Sequence, residues 1–331
     1  MDLTAGAGAA ADDAAGGDDR DPASVILPTI NWTPACDDVI ECLRPDDELL
    51  VVCDRDGDPV AAGGLPETAR KTAASVSVLV AGEPDGCSGK ANAVAHGMER
   101  ATRDRFVWTD ADFRRDDDWL DRLVAAGEEH GPATAIPFFC GGGWWLLWEA
   151  WTVVFSTLLF YLGVGSWGGN AWGGGVTFTR EDLEVDALVA DLRQVLSDDG
   201  QLSQHLDDVH AIRSMVTPVE VPGDFRNVLH RQIRFNRLTH VREGMYDALV
   251  VGTVFMGASI VFPLIMLFVT TGIAAVAYLV IGIRRPTFLL AFPGVVVILL
   301  GALFGIFCSE CDWTGRRYRI NGPRDVDIVE K

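Results

Sequence analysis

Residues 248–283 contain no charged side chain, and no other feature of the sequence limits the possible folds so strongly. After a pair of arginines, a second apolar run covers residues 287–308. A helix needs about 20 apolar residues to cross the hydrocarbon core of a bilayer. The first run is too long for one upright crossing and barely long enough for two, whereas the second fits one. Residues 246–310 are therefore predicted to form two or three transmembrane helices.

The arginines around these runs indicate an orientation. Several of them precede the first run and place its start in the cytoplasm, where flanking Arg and Lys are enriched. Three crossings leave Arg284 and Arg285 inside and the Arg-rich tail, residues 311–331, outside, and two crossings do the reverse. Length favours three. The sequence thus predicts a multi-pass protein of the cell membrane with its large N-terminal domain in the cytoplasm.

The start of the chain differs in composition from the rest. Residues 1–23 are mainly Ala, Gly and Asp, which cannot bury enough apolar surface to offset chain entropy, so a disordered tail is predicted. The tail lacks the basic start and apolar run of a signal peptide. The folded domain is therefore expected at residues 24–245.

Short apolar segments alternate with helical ones in the first part of this domain. The predicted helices are Asp37–Leu43 and Lys90–Arg103. The predicted strands are Ser24–Pro28, Glu48–Cys53, Ser75–Val80 and Arg105–Trp108. This alternation favours an α/β fold of Rossmann-like type, with a parallel sheet covered on both faces. Ligands bind at the carboxyl ends of such strands, where Asp54 and Asp110 stand.

Residues 144–165 are apolar and rich in Trp, but they include Glu149. We interpret them as an amphipathic helix at the membrane interface, where Trp is favoured. A true crossing is the alternative, given the length of the segment.

Charge and cysteine content exclude some classes of function. The formal net charge is −20, and only three of the 27 basic residues are lysines. Such a surface repels a phosphate backbone, so no nucleic-acid partner is expected. Acid-rich, Lys-poor usage suits a very salty cytoplasm, although it also occurs elsewhere. The seven cysteines are odd in number and irregular in spacing, which favours free thiols in a reducing compartment.

The triplet Asp110-Ala111-Asp112 is the first chemical motif. Alternate residues at a strand end point to the same side, so the two carboxylates can act together. Carboxylates are suitable ligands for Mg²⁺ or Mn²⁺. In a chain with 47 acidic residues, a solvated acidic turn is the simpler alternative.

Further motifs surround this triplet in a fixed order. Before it stand Pro28-Thr29-Ile30-Asn31, Asp54 after Val51-Val52-Cys53, and Lys90-Ala91-Asn92; after it come the glycine-rich Ser166-Trp167-Gly168-Gly169 and Trp172-Gly173-Gly174-Gly175, then Ser197-Asp198-Asp199, and finally Arg231-Gln232-Ile233-Arg234-Phe235. In content and order these motifs resemble those of family 2 glycosyltransferases, in particular the ceramide glucosyltransferase-like branch. The resemblance runs from about Ser24 to the C-terminal apolar runs.

The resemblance implies a GT-A type domain that binds a nucleotide sugar, with UDP-glucose favoured, and uses Mg²⁺ or Mn²⁺. It assigns the metal to Asp110 and Asp112. It assigns nucleotide-sugar binding to Pro28, Thr29, Asp54, Lys90, Asn92 and Asp110.

The resemblance also implies the catalytic and acceptor residues. Asp199 is the expected general base of an inverting transfer, with a helix N-cap as the alternative role for this acidic pair. Arg231 and Arg234 share a helix face and are expected to clamp the diphosphate, unless they only attract anionic lipid. The expected acceptor site comprises Trp172, Gly173, Gly174 and Phe235.

Three positions depart from the family pattern: Trp32 replaces Glu, Ala95 replaces Asn, and Phe235 replaces Trp. With an active site held near the membrane, the expected acceptor is lipid-like. The alternatives are a processive polysaccharide synthase, a nucleotidyltransferase, and a non-catalytic membrane scaffold. A processive synthase needs more membrane helices than this chain has, and a nucleotidyltransferase has no use for Asp199 and the two arginines.

Overall fold

The computed structural model describes residues 20–163, 170–240, 245–297, 307–322 and 324–330. Most of the predicted disordered tail, residues 1–19, therefore lies outside the described residues. The first glycine-rich motif, Ser166-Trp167-Gly168-Gly169, lies outside them as well.

A seven-stranded sheet forms the centre of the domain. Its strands are β1 (Ala23–Pro28), β2 (Glu48–Cys53), β3 (Ser75–Val80), β4 (Arg105–Thr109), β5 (Ala133–Gly141), β6 (Gly175–Thr179) and β7 (His210–Val221). Their order across the sheet is β3-β2-β1-β4-β6-β5-β7. All four strands predicted from the sequence are present within a residue or so of the expected bounds.

The sheet is mixed, which corrects the prediction of a parallel sheet. The first four strands are parallel to one another, as expected. β6 pairs antiparallel with both β4 and β5, and β5 pairs parallel with β7. β6 enters the sheet beside β4, a strand that precedes it by more than sixty residues. No local sequence pattern specifies the direction of such a distant pairing.

Helices cover both faces of the sheet, as the alternating pattern predicted. One core contains Val25 and Leu27 of β1 and the other contains Ile26, since successive side chains of a strand point to opposite faces. On the first face lie α1 (Pro34–Glu41), α2 (Pro59–Gly63), α3 (Glu67–Lys71) and α5 (Trp119–His130). On the second lie α4 (Gly89–Arg100), α7 (Val185–Leu192) and α8 (Asp198–His205).

The end of the predicted disordered tail is anchored to this domain. Arg20 is buried, and its guanidinium donates to both carboxylate oxygens of Asp47, at 2.9 and 2.7 Å. It also pairs with Asp121 on α5. Asp47 is fully buried and accepts hydrogen bonds from the backbone of Ala23 and Arg44 as well. Residues 20–23 therefore belong to the folded domain. The ion pairs that hold them join residues far apart in the sequence, so the sequence did not predict them.

The first uncharged run forms two helices rather than one long one. These are α10 (Met245–Val261) and α11 (Pro263–Ile281), and they follow α9 (Phe225–His240). The break falls at Phe262, which has φ −129° and ψ 57°. Pro263 has no N–H to donate and disfavours helical geometry at the residue before it, so the proline ends α10.

Among the described residues, only α11 is long and apolar enough to cross a bilayer. The second predicted crossing, residues 287–308, instead starts as a 3-10 turn at Pro286–Leu290 and continues as a short apolar helix to Val297. The prediction of two or three transmembrane helices is therefore wrong for the described part of the chain. Apolar composition predicted how much of the chain is lipophilic, but not where prolines and turns divide it.

The described part of segment 144–165 is mainly helical and partly buried in the protein. α6 (Leu146–Ser156) follows a 3-10 turn and continues as a π-helical turn, Thr157–Tyr161. Trp145 and Trp148 are buried, whereas an interfacial helix was predicted to place its tryptophans at a surface. Trp144 and Phe155 are half exposed, at 53% and 52%.

A buried polar cluster ties α6 to the apolar helices. Glu149 is fully buried, and its Oε1 accepts hydrogen bonds from Arg285 at 2.9 Å and from Thr287 at 2.5 Å. Tyr278 of α11 contacts the same oxygen at 3.4 Å. Glu149, the charged residue in the otherwise apolar segment 144–165, therefore joins three chain segments in one ion-pair network.

The predicted C-terminal tail folds into a small antiparallel sheet. Its strands are β8 (Glu310–Trp313), β9 (Arg316–Gly322) and β10 (Asp325–Glu330). The sheet packs against α9 through Ile233, Cys311 and Tyr318 and so contacts the cytoplasmic domain of the prediction. The predicted tail is therefore part of the folded structure.

We expect the Arg20 network to stabilise the fold substantially. Arg20→Ala leaves the fully buried Asp47 without its counter-charge and should lower the free energy of unfolding by about 3–5 kcal/mol. Chemical denaturation of the purified chain measures this change. The matched control is Arg100→Ala, whose side chain is 54% exposed and lies 3.9 Å from Glu99, with an expected cost below about 1 kcal/mol. Equal effects of the two substitutions would contradict the assignment.

Candidate active site

The carboxyl ends of three neighbouring parallel strands place predicted site residues along one edge of the sheet. β1 ends at Pro28 and is followed by Thr29, β2 is followed by Asp54, and β4 is followed by Asp110. β1 lies between the other two, so these residues follow one another along the edge. The predicted placement of Asp54 and Asp110 at strand ends is confirmed.

A single lysine joins three of the carboxylates predicted from separate motifs. Lys90, at the start of α4, lies 2.7 Å from Asp110 and 3.0 Å from Asp198. Its ammonium is 3.9 Å from Asp199. The chain thus brings together residues more than a hundred positions apart, and their convergence defines the candidate active site.

Burial and crowding of acids perturb the protonation of this cluster. Burial, with the charges of Asp112 and Asp198 adding to it, raises the pKa of Asp110 to about 6 although Lys90 opposes the shift. Burial and the neighbouring Asp198 raise the pKa of Asp199 to about 8. Burial alone lowers the pKa of the Lys90 ammonium, but the three carboxylates raise it well above its usual value. The site holds more negative charge than one lysine can neutralise.

The two acids at the start of α8 have different surroundings. The side chain of Asp198 is 3% exposed and pairs with Lys90, whereas that of Asp199 is 38% exposed. Neither acid caps the helix, because the hydroxyl of Ser197 accepts the hydrogen bond from the Gly200 N–H. The alternative of a capping role for this pair is therefore wrong. Asp199 is the acid that a bound molecule can reach.

The second glycine-rich motif fits tightly against these acids. A Cβ on Gly173 would lie 2.5 Å from the Asp198 carboxylate and 2.8 Å from that of Asp199. A Cβ on Gly174 would lie 3.0 Å from Asp110 and closer still to the ring of Trp172. Only glycine lets this backbone approach the cluster so closely. Trp172 itself is buried beside Phe113, with ring centroids 5.2 Å apart, so its ring packs within the protein core next to the glycines.

The two predicted diphosphate arginines lie among aromatic rings. Arg231 lies over the rings of Phe139 and Phe235, with its guanidinium carbon 4.8 and 5.7 Å from the centroids. Arg234 lies 4.3 Å from the ring of Trp313. Neither guanidinium has a hydrogen bond or an ion pair with any described residue.

The charge of these arginines is directed at the acidic cluster. Burial lowers the pKa of Arg231 to about 10, and the neighbouring Arg234 adds to the lowering. Burial also lowers the pKa of Arg234, while Asp199, Asp198 and Asp110 act against it. Two desolvated cations without a bonded counter-ion are costly, and an anionic ligand placed between them and the carboxylates would satisfy both.

Asp110 and Asp112 are the candidate metal ligands. The described residues contain no group of three or more His, Cys, Asp or Glu side chains arranged to hold a metal. A two-carboxylate site suits Mg²⁺ or Mn²⁺ when phosphate oxygens complete the coordination. Burial, followed by the charges of Asp112 and Asp198, raises the pKa of Asp110, and a divalent cation would offset the repulsion between these acids. The residues therefore fit a cation that arrives with a phosphorylated ligand.

Asn92, which is predicted to bind the nucleotide sugar, also makes hydrogen bonds within the protein. It donates to the carbonyl of Gly82 at 3.0 Å and accepts from Arg193 at 2.9 Å. These two bonds anchor the loop after β3, and the binding role of Asn92 stays a prediction. The sequence missed Arg115, which donates to the Asp110 carbonyl and to the Thr109 hydroxyl and so fixes the end of β4. Nothing in its local sequence distinguishes it from other arginines.

Comparison with known proteins agrees with this geometry. Residues 24–179 match the family described as Glycosyl transferase family 2. No curated protein matches the chain.

Solved structures extend the comparison to the fold. A mannosyltransferase from Pyrobaculum calidifontis, solved in complex with GDP-Man and Mn²⁺, is similar with a TM-score of 0.50 and 16% identity over 88% of each chain. A glucosyl-3-phosphoglycerate synthase from Mycobacterium tuberculosis has a TM-score of 0.36 and 16% identity over 62% of this chain and 72% of its own. The same synthase with Mn²⁺, UDP-Glc and phosphoglyceric acid gives 0.36 and 17% over 61% and 71%. At these identities, the first likeness shows a shared GT-A fold.

The acidic cluster makes a prediction about stability and pH. The pKa values of Asp110 and Asp199 are raised from 3.8 to about 6 and 8, so the folded state binds protons more tightly than the unfolded chain. Stability from these groups is present at low pH and falls as pH rises through the raised pKa values. Lys90→Met removes the opposing charge and should make the melting temperature fall more steeply over that interval.

The control for this prediction is Lys71→Met. It changes the net charge equally, but the Lys71 side chain is 73% exposed and pairs with Glu67 rather than with the acidic cluster. Its melting temperature should follow that of the unmodified protein at every pH. Parallel curves for all three proteins would show that Lys90 does not hold the cluster together.

Proposed function

We propose that this chain, whose residues 24–179 match glycosyl transferase family 2, is an inverting, metal-dependent glycosyltransferase with a nucleotide-diphosphate sugar as donor and a membrane lipid as acceptor. The observation that carries this proposal is the pair Arg231 and Arg234. Both guanidiniums are desolvated, lack a bonded counter-ion among the described residues, and act electrostatically on the acidic cluster.

A diphosphate bound to a divalent cation has the charge distribution that this site accommodates. Asp110 and Asp112 would hold the cation, and the two arginines would donate hydrogen bonds to the diphosphate oxygens. The cation would stabilise the negative charge that grows on the leaving diphosphate. Arg231 and Arg234 do the same from the opposite side, where planar guanidiniums suit phosphate geometry.

Asp199 is the proposed general base. Its carboxylate is more exposed than that of Asp198, and its pKa of about 8 gives it the affinity for a proton that the role requires. The base takes the proton from an acceptor hydroxyl as that oxygen attacks the sugar carbon from the side opposite the diphosphate. This single displacement inverts the configuration at that carbon.

The apolar helices support a lipid acceptor and a location at the cell membrane. α9, which carries both arginines, leads directly into α10 and α11. Large side chains of these helices are exposed to an extent unusual for a soluble domain, including Val254 at 62%, Leu264 at 72%, Phe268 at 75% and Leu279 at 81%. A bilayer would cover this surface and deliver a lipid acceptor beside the active site.

The donor is proposed to be UDP-glucose, on the motif resemblance. GDP-mannose is the second donor to be tested, because the mannosyltransferase with the similar fold was solved with GDP-Man and Mn²⁺. The acid-rich, Lys-poor composition supports a further proposal, that the enzyme works in a very salty cytoplasm.

The experiment is a donor panel with the purified full chain. Release of nucleoside diphosphate is measured from UDP-glucose, GDP-mannose and other nucleotide sugars, with and without native membrane lipid, at low and molar potassium chloride. We expect one donor to be consumed only with lipid present. EDTA and Asp112→Ala should each abolish the release, whereas full activity in chelator would contradict the metal assignment. No release from any donor would favour the non-catalytic scaffold.

A separate prediction concerns the base. Asp199→Asn keeps the size of the side chain but cannot accept a proton at neutral pH, so turnover should fall about a hundred- to ten-thousand-fold. Donor affinity, measured by calorimetry with Mn²⁺, should change little because the metal and diphosphate use other groups. The control is Asp207→Asn, an exposed aspartate beyond α8 that should retain full activity. Lost donor binding in Asp199→Asn would place this residue in the donor site instead.

A further inference from the structure

The C-terminal sheet reaches the part of the active site that holds Asp54. Arg316, at the start of β9, is buried and forms an ion pair with the Asp54 carboxylate, through its Oδ2 atom. The same guanidinium contacts Glu83 at 3.5 Å. The other oxygen of Asp54, Oδ1, accepts no hydrogen bond from any described residue, and the side chain is 14% exposed. The carboxylate is thus held on one side and open on the other.

A second contact fixes the sheet at the same place. The hydroxyl of Tyr318, on β9, accepts a hydrogen bond of 3.2 Å from the N–H of Gly89, the first residue of α4. A Cβ on Gly89 would lie 2.7 Å from the Arg316 guanidinium and 3.1 Å from Asp54. The glycine therefore lets strand end, helix start and C-terminal sheet approach one another, next to Lys90.

The sheet also touches the opposite end of the proposed donor site. Trp313 of β8 supports Arg234 through its ring, at 4.3 Å. Asp54 directly follows β2 and Arg234 lies on α9, and the C-terminal sheet contacts both.

Resting on the proposed function, we propose that the C-terminal sheet is a wall of the donor site and that Arg316 positions Asp54 for the nucleoside part of the donor. Arg316 occupies one oxygen of Asp54 and fixes the direction of the other. An aspartate held in this way accepts hydrogen bonds from N–H or O–H groups of a base or ribose without losing side-chain freedom on binding. Arg316 is a positioning residue for the donor and takes no part in the chemical step.

The test separates nucleoside from diphosphate recognition. Calorimetry of the full-length protein with Mn²⁺ compares UDP, GDP and inorganic pyrophosphate. With Arg316→Ala, the dissociation constant of whichever nucleoside diphosphate binds the unmodified protein should rise about tenfold or more, as expected for a lost charge-assisted interaction. Pyrophosphate binding should stay within about twofold. In turnover, the donor KM should rise while kcat changes little.

Matched variants keep the test independent of folding. Arg319→Ala removes an arginine of the same strand that is 44% exposed and pairs with Glu310, and it should bind all three probes normally. Arg316→Lys keeps the charge but cannot bridge Asp54 and Glu83, so it should show an intermediate loss. Melting temperatures identify any variant that fails to fold, in which case Arg316→Lys provides the measurement.

Three results would overturn the inference. Tighter nucleotide binding in Arg316→Ala would show that Arg316 competes with the donor for Asp54. Equal losses for nucleotide and pyrophosphate would show that the sheet only supports the fold. Normal nucleotide binding in Arg316→Ala would refute the positioning role and leave the proposed function intact. If the unmodified protein bound none of the probes, the proposed function would fail as well.

Discussion

The ion pairs of Lys90 hold the candidate active site together. Its ammonium lies within 4 Å of carboxylates from the end of β4 and the start of α8 and so joins these two elements. Without this charge, four nearby acids would repel one another in a partly desolvated setting. The cluster nevertheless remains too negative, and this remaining imbalance suits the site to a divalent cation.

The two arginines of the site are held in a different way from Lys90. Arg231 and Arg234 pack against aromatic rings, and neither forms an ion pair or a hydrogen bond with a described residue. Acids and arginines that paired directly would satisfy each other and leave nothing for a ligand. Held apart, they present charges of both signs, which the proposed metal–diphosphate complex would meet with complementary groups. The cost of keeping them unpaired is met by the packing of α9 against the sheet and the aromatic residues.

Polar contacts and the C-terminal sheet connect the apolar helices to the central domain. Glu149 ties α6 to α11 and to the segment after it, so the apolar surface is fixed relative to the central sheet. The chain then returns to the domain through β8–β10 and contacts Asp54 and Arg234. Both ends of the proposed donor site thereby depend on residues that follow the apolar helices.

The sequence by itself determined the α/β class, the first four strands, and the placement of Asp54 and Asp110 at strand ends, because short-range periodicity and strand termini are local properties. Motif order also identified Lys90, Asp199 and the two arginines as residues of one site, although not their mutual contacts. Only the tertiary structure decided the antiparallel insertion of β6, the burial of Arg20, the use of Asn92 within the protein, and the division of the apolar run at Pro263. It alone revealed Arg316 and the C-terminal sheet. These features rest on pairings between residues far apart in the chain, and local composition has no information about which distant partner a strand or charge will meet.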